Sequence, residues 1–318
     1  MKILLAGGSG QVGVSLARHF CRQGHEVVVL SRSPQTDHEW SHAVWDGKTL
    51  GTWTEQVNGA NVVINLAGRT VNCRYTESNR KQMMDSRVDS TRVIGQAIAE
   101  AKQPPSLWLQ ASTATIYSHR FDAANDEESG KIPGSDGEPE SKWQFSIEIA
   151  KAWERELDAA DTPSTRKVAL RSAMVMSADP GGIFATLLGL VRKGLGGTSG
   201  NGKQYVSWIH EQDFLAAIDW LIANDHLQGA VNLSAPTPLP NRDFMKALRE
   251  AWGARIGLPA TAWMLEIGAI FLRTETELIL KSRRVVPQRL LDDGFAFQFP
   301  DWPTAAIDLC KQWRIPTS

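Results

Sequence analysis

Short apolar runs alternate with amphipathic stretches through the first half of the chain. Lys2–Ala6, Val27–Leu30 and Asn61–Leu66 are apolar runs of strand length, and Val12–Gln23 carries its apolar side chains at helical spacing. The runs lack the polar–apolar alternation of a half-exposed strand, which indicates burial on both faces. This pattern predicts βαβ units built around a parallel sheet.

The same pattern extends to about residue 234 and then changes. Further strands are predicted at Leu107–Ala111, Lys167–Arg171, Tyr205–His210 and Ala230–Ser234, and further helices at about 78–101, 143–157, 181–193 and 212–224. From Pro236 onward the chain carries helical stretches and several prolines. We therefore predict an α/β fold, a doubly wound parallel sheet with a smaller C-terminal α/β domain. The larger domain takes residues 1–173 plus 207–234, and the smaller one takes residues 174–206 plus 235–318.

The composition excludes several classes of protein. Hydrophobic residues make up 42% of the 318 positions, which is enough for a large core. The net charge of −1 and the lack of a basic run argue against a nucleic-acid or membrane-surface partner. Three distant cysteines and scattered histidines predict no disulfide framework and no metal site. No apolar segment reaches the length of a membrane span, and we expect a cytoplasmic monomer or homodimer.

A glycine-rich turn follows the first predicted strand. The residues Gly7-Gly8-Ser9-Gly10-Gln11-Val12-Gly13 lie where the strand passes into the first helix. Glycine permits the tight turn at Gly7, close approach of a pyrophosphate to the backbone at Gly10, and close helix–strand packing at Gly13. Phosphates then meet free N–H groups at a helix N-terminus, whose dipole favours anions. In this context the turn predicts a Rossmann-type NAD(P)-binding domain. An ordinary glycine-rich turn is the alternative.

The residues after the second strand decide which dinucleotide is expected. NAD-binding domains place a carboxylate there for the ribose 2′-hydroxyl. This chain has Ser31-Arg32-Ser33 instead. A guanidinium flanked by hydroxyls suits a 2′-phosphate through charge-assisted hydrogen bonds, so we predict NADP as the cofactor. A solvated surface arginine is the alternative.

Several further motifs carry a resemblance to a known family. They are Val62–Gly68, Ser86-Arg87-Val88 with Thr91, Gly194–Gly197, Gly202–His210 with Asp213, and Val286–Leu290 before Gly294-Phe295. Together they resemble the YfcH-like epimerase family, an atypical group of extended short-chain dehydrogenases/reductases. The resemblance spans nearly the whole chain. It implies an NADP-binding Rossmann domain and a small C-terminal domain that together form a cleft, with an unknown small-molecule substrate.

The resemblance and the turn together give a set of expected cofactor contacts. These are Gly7, Gly8, Ser9, Gly10, Gln11, Val12, Gly13, Ser31, Arg32, Leu66, Ala67, Gly68, Arg87 and Val175. Leu66, Ala67 and Gly68 follow a strand, at the edge where a parallel sheet presents its ligand crevice. For Arg87 a structural ion pair is the alternative.

The expected catalytic pair is missing. The resemblance implies a tyrosine and, four residues later, a lysine on one helix, but no Tyr-x-x-x-Lys occurs in this chain. Phe145 and Ile149 fill the two positions, and neither can exchange a proton. Ser112 at the end of its strand and Tyr117 shortly after it are our candidate catalytic residues. The alternative is that Ser112 caps a loop and Tyr117 packs in the core.

Two functions remain compatible with these residues. One is an NADP-dependent oxidoreductase or nucleotide-sugar-epimerase-like enzyme that acts on a small polar substrate in the cleft. The other is a non-catalytic NADP(H)-sensing binding protein. The retained Ser112 favours the enzyme, whereas the missing tyrosine and lysine favour the sensor.

Overall fold

The fold is built around one seven-stranded parallel sheet. A computed structural model describes residues 1–33, 38–135, 138–139, 141, 143–261 and 277–315. The described strands are β1 Lys2–Ala6, β2 Glu26–Ser31, β3 Ser41–Val44, β4 Val62–Asn65, β5 Leu107–Thr113, β6 Arg166–Ser172, β7 Met174–Met176, β8 Tyr205–Val206, β9 Trp208–His210, β10 Gly229–Leu233 and β11 Leu239–Pro240. The order in the main sheet is β10-β6-β5-β4-β1-β2-β3.

Helices cover both faces of this sheet. The described α-helices are α1 Gln11–Arg22, α2 Glu77–Glu100, α3 Gln144–Ala159, α4 Ile183–Arg192, α5 Glu211–Ala223, α6 Asn241–Trp252, α7 Glu277–Leu280, α8 Gln288–Asp292 and α9 Trp302–Arg314. Short 3₁₀ helices lie at Thr52–Gln56 and Ala114–Ile116. Among the described helices none is long and apolar enough to cross a membrane.

Successive residues of β1 enter different cores, which explains why the strand is apolar throughout. Ile3 and Leu5 pack with Phe20 of α1 and with apolar residues of α5 on one face. Leu4 packs on the opposite face, in a second cluster with Ile94 and Ile98 of α2. Since both faces are covered, every position of the strand is a core position. The predicted α/β class and doubly wound parallel sheet are therefore confirmed.

A third apolar cluster lies beyond the main sheet. Phe184 of α4, Phe244 of α6 and Trp302 of α9 are buried together there. The rings of Phe244 and Trp302 stack with centroids 4.0 Å apart. This cluster holds α4, α6 and α9 against each other, and the division into two domains stays a prediction.

The prediction of one strand over Tyr205–His210 is wrong in detail. β8 pairs antiparallel with β11, whereas β9 pairs parallel with β7. Ser207 lies between them, and its hydroxyl donates to the carbonyl of Arg283 at 2.7 Å. The Ser207 side chain is therefore hydrogen-bonded to the C-terminal segment, between the strand that pairs with β11 and the strand that pairs with β7.

The sheet order places a crevice beside β1. β1 pairs with β2 on one side and with β4 on the other. From β1 the chain adds β2 and β3 toward one edge of the sheet, and it then adds β4, β5 and β6 toward the other edge. In open α/β sheets ligands bind outside the carboxyl ends of the strands at such a switch point.

Candidate cofactor site

A cavity of about 590 Å³ opens at the carboxyl ends of β1, β2 and β4. We call it the edge cavity. Its wall is formed by Gly7, Ser9, Gly10, Ser31, Arg32, Trp45, Asp46, Gly47, Lys48, Leu66, Ala67, Gly68, Arg69, Thr70, Gln82, Asp85, Ser86 and Ser90. Eight of the fourteen predicted cofactor residues are in this wall.

The glycine turn gives the cavity a floor of main-chain groups. Gly7 has a φ of +71°, and a Cβ there would lie 2.7 Å from Cα of Ala67. A Cβ on Gly10 would meet no heavy atom of a described residue within 4 Å. Gly10 is the N-cap of α1, and no described side chain caps the helix. The first-turn N–H groups of α1 therefore remain available to an anion in the cavity.

Ser31 and Arg32 form the end of the cavity beside β2. Ser31 is 2% exposed, and within the described part of the chain its hydroxyl has no hydrogen-bond partner. Arg32 is exposed and makes no ion pair with a described residue. A buried hydroxyl without a partner is costly, because it loses its bonds to water. A ribose or phosphate oxygen bound here would restore one.

A turn over Asp46–Thr49, which the sequence pattern did not predict, completes this end of the cavity. The Asp46 carboxylate accepts from the N–H groups of Lys48 at 2.8 Å and Thr49 at 2.9 Å. These hydrogen bonds lower the pKa of Asp46. Gly47 has a φ of +74°, which glycine adopts without strain. The turn follows edge strand β3, so recognising it required that strand to be predicted first.

Arg87 lies behind the cavity wall instead of in it. A Cβ on Gly68 would lie 3.1 Å from Cζ of Arg87, so the missing side chain makes room for the guanidinium. Arg87 donates to the carbonyl of Met83 at 3.0 Å and lies over the Trp153 ring, 4.9 Å from its centroid. Burial lowers its pKa to about 10. No carboxylate pairs with it among the described residues, so the structural ion pair considered as an alternative is not formed there.

The other predicted contacts lie outside the described wall of the edge cavity. Gly13 packs under Gly8, where a Cβ would lie 2.4 Å from the Gly8 carbonyl oxygen. The Gln11 amide reaches Gly182 at the start of α4, and Val12 in the first turn of α1 is partly buried against the core. Val175 pairs with Ile209 in the small β7–β9 sheet. Of these residues, Gly13 supports the turn directly through its close approach to Gly8.

Ser112 and Tyr117 belong to a buried polar network. The Ser112 hydroxyl donates to Glu154 at 2.6 Å, and Glu154 forms an ion pair with Arg171 at 2.8 Å. Arg171 donates to the Tyr117 hydroxyl at 2.8 Å, and that hydroxyl donates to Asn232 at 2.9 Å. Burial raises the pKa of Tyr117. The network ties β5, β6 and β10 to α3.

The catalytic role of Ser112 and Tyr117 therefore stays a prediction that this geometry does not favour. Tyr117 is 2% exposed, and its hydroxyl is engaged on both sides. Neither residue is part of the edge cavity wall.

A second group of polar side chains packs onto the turn after β5. We call it the C-terminal cluster: Thr115, Ser146, Glu277, Lys281 and Arg283. Lys281 donates to the carbonyl of Thr115 at 2.7 Å and lies 3.7 Å from Glu277. Arg283 donates to the Thr115 hydroxyl at 3.1 Å, and Ser146 donates to Glu277. Burial, and then the charge of Arg283, lower the pKa of Lys281 to about 7.

His210 and Asp213 have structural contacts at the start of α5. The ring of His210 accepts from Gln212 N–H at 3.1 Å and so caps α5. Burial lowers the pKa of this histidine to about 4. Asp213 does not cap the helix, because its carboxylate accepts from the N–H groups of Gln298 and Phe299 at 2.7 and 2.9 Å. The pair fixes the C-terminal segment to the start of α5.

The fold and the edge cavity together define a Rossmann-type α/β protein with a dinucleotide-binding crevice. The profile of the NAD dependent epimerase/dehydratase family matches residues 3–234, and a domain of unknown function, DUF1731, matches residues 260–309. The chain belongs to the NAD dependent epimerase/dehydratase family.

Individual relatives are similar to this chain over nearly its whole length. Epimerase family protein SDR39U1 of Bos taurus is 32% identical over 307 residues, which are 95% of this chain and 97% of the relative. Epimerase family protein YfhF of Bacillus subtilis is 30% identical, over 97% of this chain and 98% of that protein. The crystal structure of human epimerase family protein SDR39U1 (isoform 2) with NADPH is similar with a TM-score of 0.84. It is 28% identical and covers 98% of this chain and 99% of that one. The resemblance to the epimerase family proteins is thus confirmed.

Proposed function

We propose that this chain binds NADP(H) in the edge cavity and acts as an oxidoreductase or nucleotide-sugar-epimerase-like enzyme on a small polar substrate. The observation that carries the proposal is the cavity end at Ser31 and Arg32. A buried hydroxyl without a described partner and a guanidinium without a described ion pair lie side by side there. A phosphate monoester on the adenosine ribose would satisfy both.

The residues present fit a dinucleotide along the whole cavity. The start of α1 at Gly10 suits the pyrophosphate, since no atom of the described residues lies within 4 Å of a Cβ built there. Leu66, Ala67 and Gly68 would contact the next portion of the cofactor, and Arg87 would approach it from behind Gly68. The presence of NADPH in the related human protein supports this assignment. When bound, the nicotinamide supplies hydride-transfer chemistry.

The enzyme interpretation also needs a group that exchanges a proton. Phe145 and Ile149 cannot, and the Tyr117 hydroxyl is engaged in the buried network. Lys281 is a second candidate, because its amine lies at the turn after β5 and has a pKa of about 7, but like Tyr117 it is buried and lies outside the wall of the edge cavity. A lysine with such a pKa can take up or release a proton at Nζ near neutral pH.

The second candidate function is an NADP(H) sensor without turnover. The engagement of Ser112 and Tyr117 in a structural network favours it. The two candidates share the cofactor and differ only in the presence of a reaction.

Two measurements test these proposals in turn. Mass spectrometry of the purified protein identifies a nucleotide that copurifies, and NADP(H) is expected. NADPH oxidation is then followed across a panel of carbonyl compounds. Turnover that is lost in Lys281→Met but kept in Tyr117→Phe supports the enzyme with Lys281 as proton donor. NADPH binding without oxidation by any member of the panel supports the sensor.

A further inference from the structure

We propose that Lys48 is the second cation of a two-sided phosphate subsite and faces Arg32 across the adenosine end of the edge cavity. The inference rests on the proposed NADP(H) function and adds a specificity-determining residue to it. The ligand class is a phosphate monoester on the ribose 2′-oxygen.

Strand pairing brings the two cations to the same place. β2 and β3 are parallel neighbours, with Ser31 opposite Val44. The Trp45 N–H donates to the Ser31 carbonyl at 3.2 Å, which extends the pairing one residue further. Arg32 directly follows β2, and the turn over residues 46–48 comes shortly after β3. Arg32 and residues 46–48 all belong to the cavity wall.

The turn that carries Lys48 is fixed by its own hydrogen bonds. Both Asp46 oxygens are used, since Oδ1 accepts from the Lys48 and Thr49 N–H groups and Oδ2 accepts from the Thr49 hydroxyl at 2.7 Å. The buried Trp45 ring anchors the turn against Trp53, with centroids 5.5 Å apart. The backbone of Lys48 is therefore held in place before any ligand arrives, which reduces the ordering cost of binding.

The charges at this end favour a dianion. Lys48, like Arg32, forms no ion pair with a described residue. Asp46 is the one carboxylate that the described wall has at this end, and its oxygens already bond to the turn. The other wall carboxylate, Asp85, lies on α2 and pairs with Lys81 at 2.6 Å. Two cations at one end of the cavity hold a phosphate more selectively than a single exposed arginine, because a neutral 2′-hydroxyl gains little from either.

Affinity measurements on a lysine series test the proposal. The dissociation constants of NADPH, NADH, 2′,5′-ADP and ADP are measured by calorimetry for the wild type, Lys48→Met and Lys48→Arg. We expect Lys48→Met to weaken NADPH and 2′,5′-ADP by about tenfold and to change NADH and ADP by less than about twofold. Lys48→Arg retains the charge and should stay close to the wild type.

The control is Lys102→Met, which removes an exposed lysine at the opposite, amino-terminal edge of the sheet. It has the same change in net charge and should leave all four affinities unchanged. Melting temperatures of the variants establish that each one is folded.

Three outcomes would overturn the proposal. If Lys48→Met binds NADPH like the wild type while the wild type still prefers NADPH to NADH, Lys48 has no part and the NADP(H) function stands. If Lys48→Met weakens NADH and NADPH equally, the lysine contacts a part that the two cofactors share. If the wild type binds none of the four nucleotides, the proposed function fails together with the inference.

Discussion

Replacing Gly10 by alanine should weaken nucleotide binding and leave the fold intact. Gly10 has φ −78° and ψ 168°, an extended conformation that alanine adopts freely. Its added methyl group would meet no atom within 4 Å in the part of the chain that the structure describes. The change in the free energy of unfolding should therefore be less than about 1 kcal/mol, from a slightly poorer N-cap.

The same methyl group would occupy the space in which a pyrophosphate approaches the α1 N–H groups. A phosphate oxygen bonds to an N–H at about 2.9 Å, a separation that a methyl carbon in between prevents. The loss of such charge-assisted bonds should weaken NADPH binding by at least about tenfold, or about 1.4 kcal/mol.

Gly13→Ala is the matched comparison, because it makes the same chemical change three residues later. Its Cβ would lie 2.4 Å from the Gly8 carbonyl oxygen and 2.5 Å from Gly8 Cα, so backbone must move. Overpacking of this kind costs about 1–3 kcal/mol of stability.

Urea unfolding and calorimetric titration with NADPH separate the two effects. We expect Gly10→Ala to lose affinity at unchanged stability and Gly13→Ala to lose stability. Wild-type NADPH affinity in Gly10→Ala would refute the placement of the pyrophosphate at this turn.

Three further predictions follow from the buried groups. Tyr117→Phe should cost about 2–4 kcal/mol of stability, measured by urea unfolding, because it removes two buried hydrogen bonds, one of them to the charged Arg171, and NADPH affinity should not change. Lost turnover at full stability would instead support a catalytic Tyr117. Glu154→Gln should cost about 3–5 kcal/mol by leaving Arg171 without its buried ion pair, and a smaller loss than about 1 kcal/mol would contradict the network. Folding lowers the pKa of Lys281, so burial of its charged form destabilises the fold. This destabilisation is complete below about pH 7 and decreases as pH rises toward the pKa that Lys281 has in the unfolded chain. Wild-type stability should therefore gain up to about 1.4 kcal/mol per pH unit between about pH 7.5 and 9.5 relative to Lys281→Met, and parallel pH profiles would exclude the lowered pKa.

The sequence predicted the part of the fold that depends on local pattern. The buried runs at Lys2–Ala6 and Leu107–Ala111 became central strands, because a strand covered on both faces must be apolar along its whole length. The glycine turn was recognised because each glycine meets a separate steric demand, as Gly7 and Gly13 show.

Edge strand β3 was missed, and with it a part of the cavity. Ser41–Val44 is only partly buried and has no apolar run, so its pattern resembles a loop. The Asp46–Thr49 turn follows this strand, which is why Lys48 did not enter the predicted site.

Long-range polar contacts were also beyond the sequence. Ser112 meets Glu154 from 42 residues away, and Arg171 meets Tyr117 across 54 residues. The closeness of Ser112 and Tyr117 along the chain suggested a shared catalytic role, whereas the pairing of β5 with β6 directs both hydroxyls to one buried arginine network.

The direct test of the account is calorimetric titration of the wild-type protein with NADPH and NADH up to millimolar concentration. The edge cavity predicts saturable binding of NADPH, at least about tenfold tighter than that of NADH. Absence of binding by either nucleotide at millimolar concentration would contradict it.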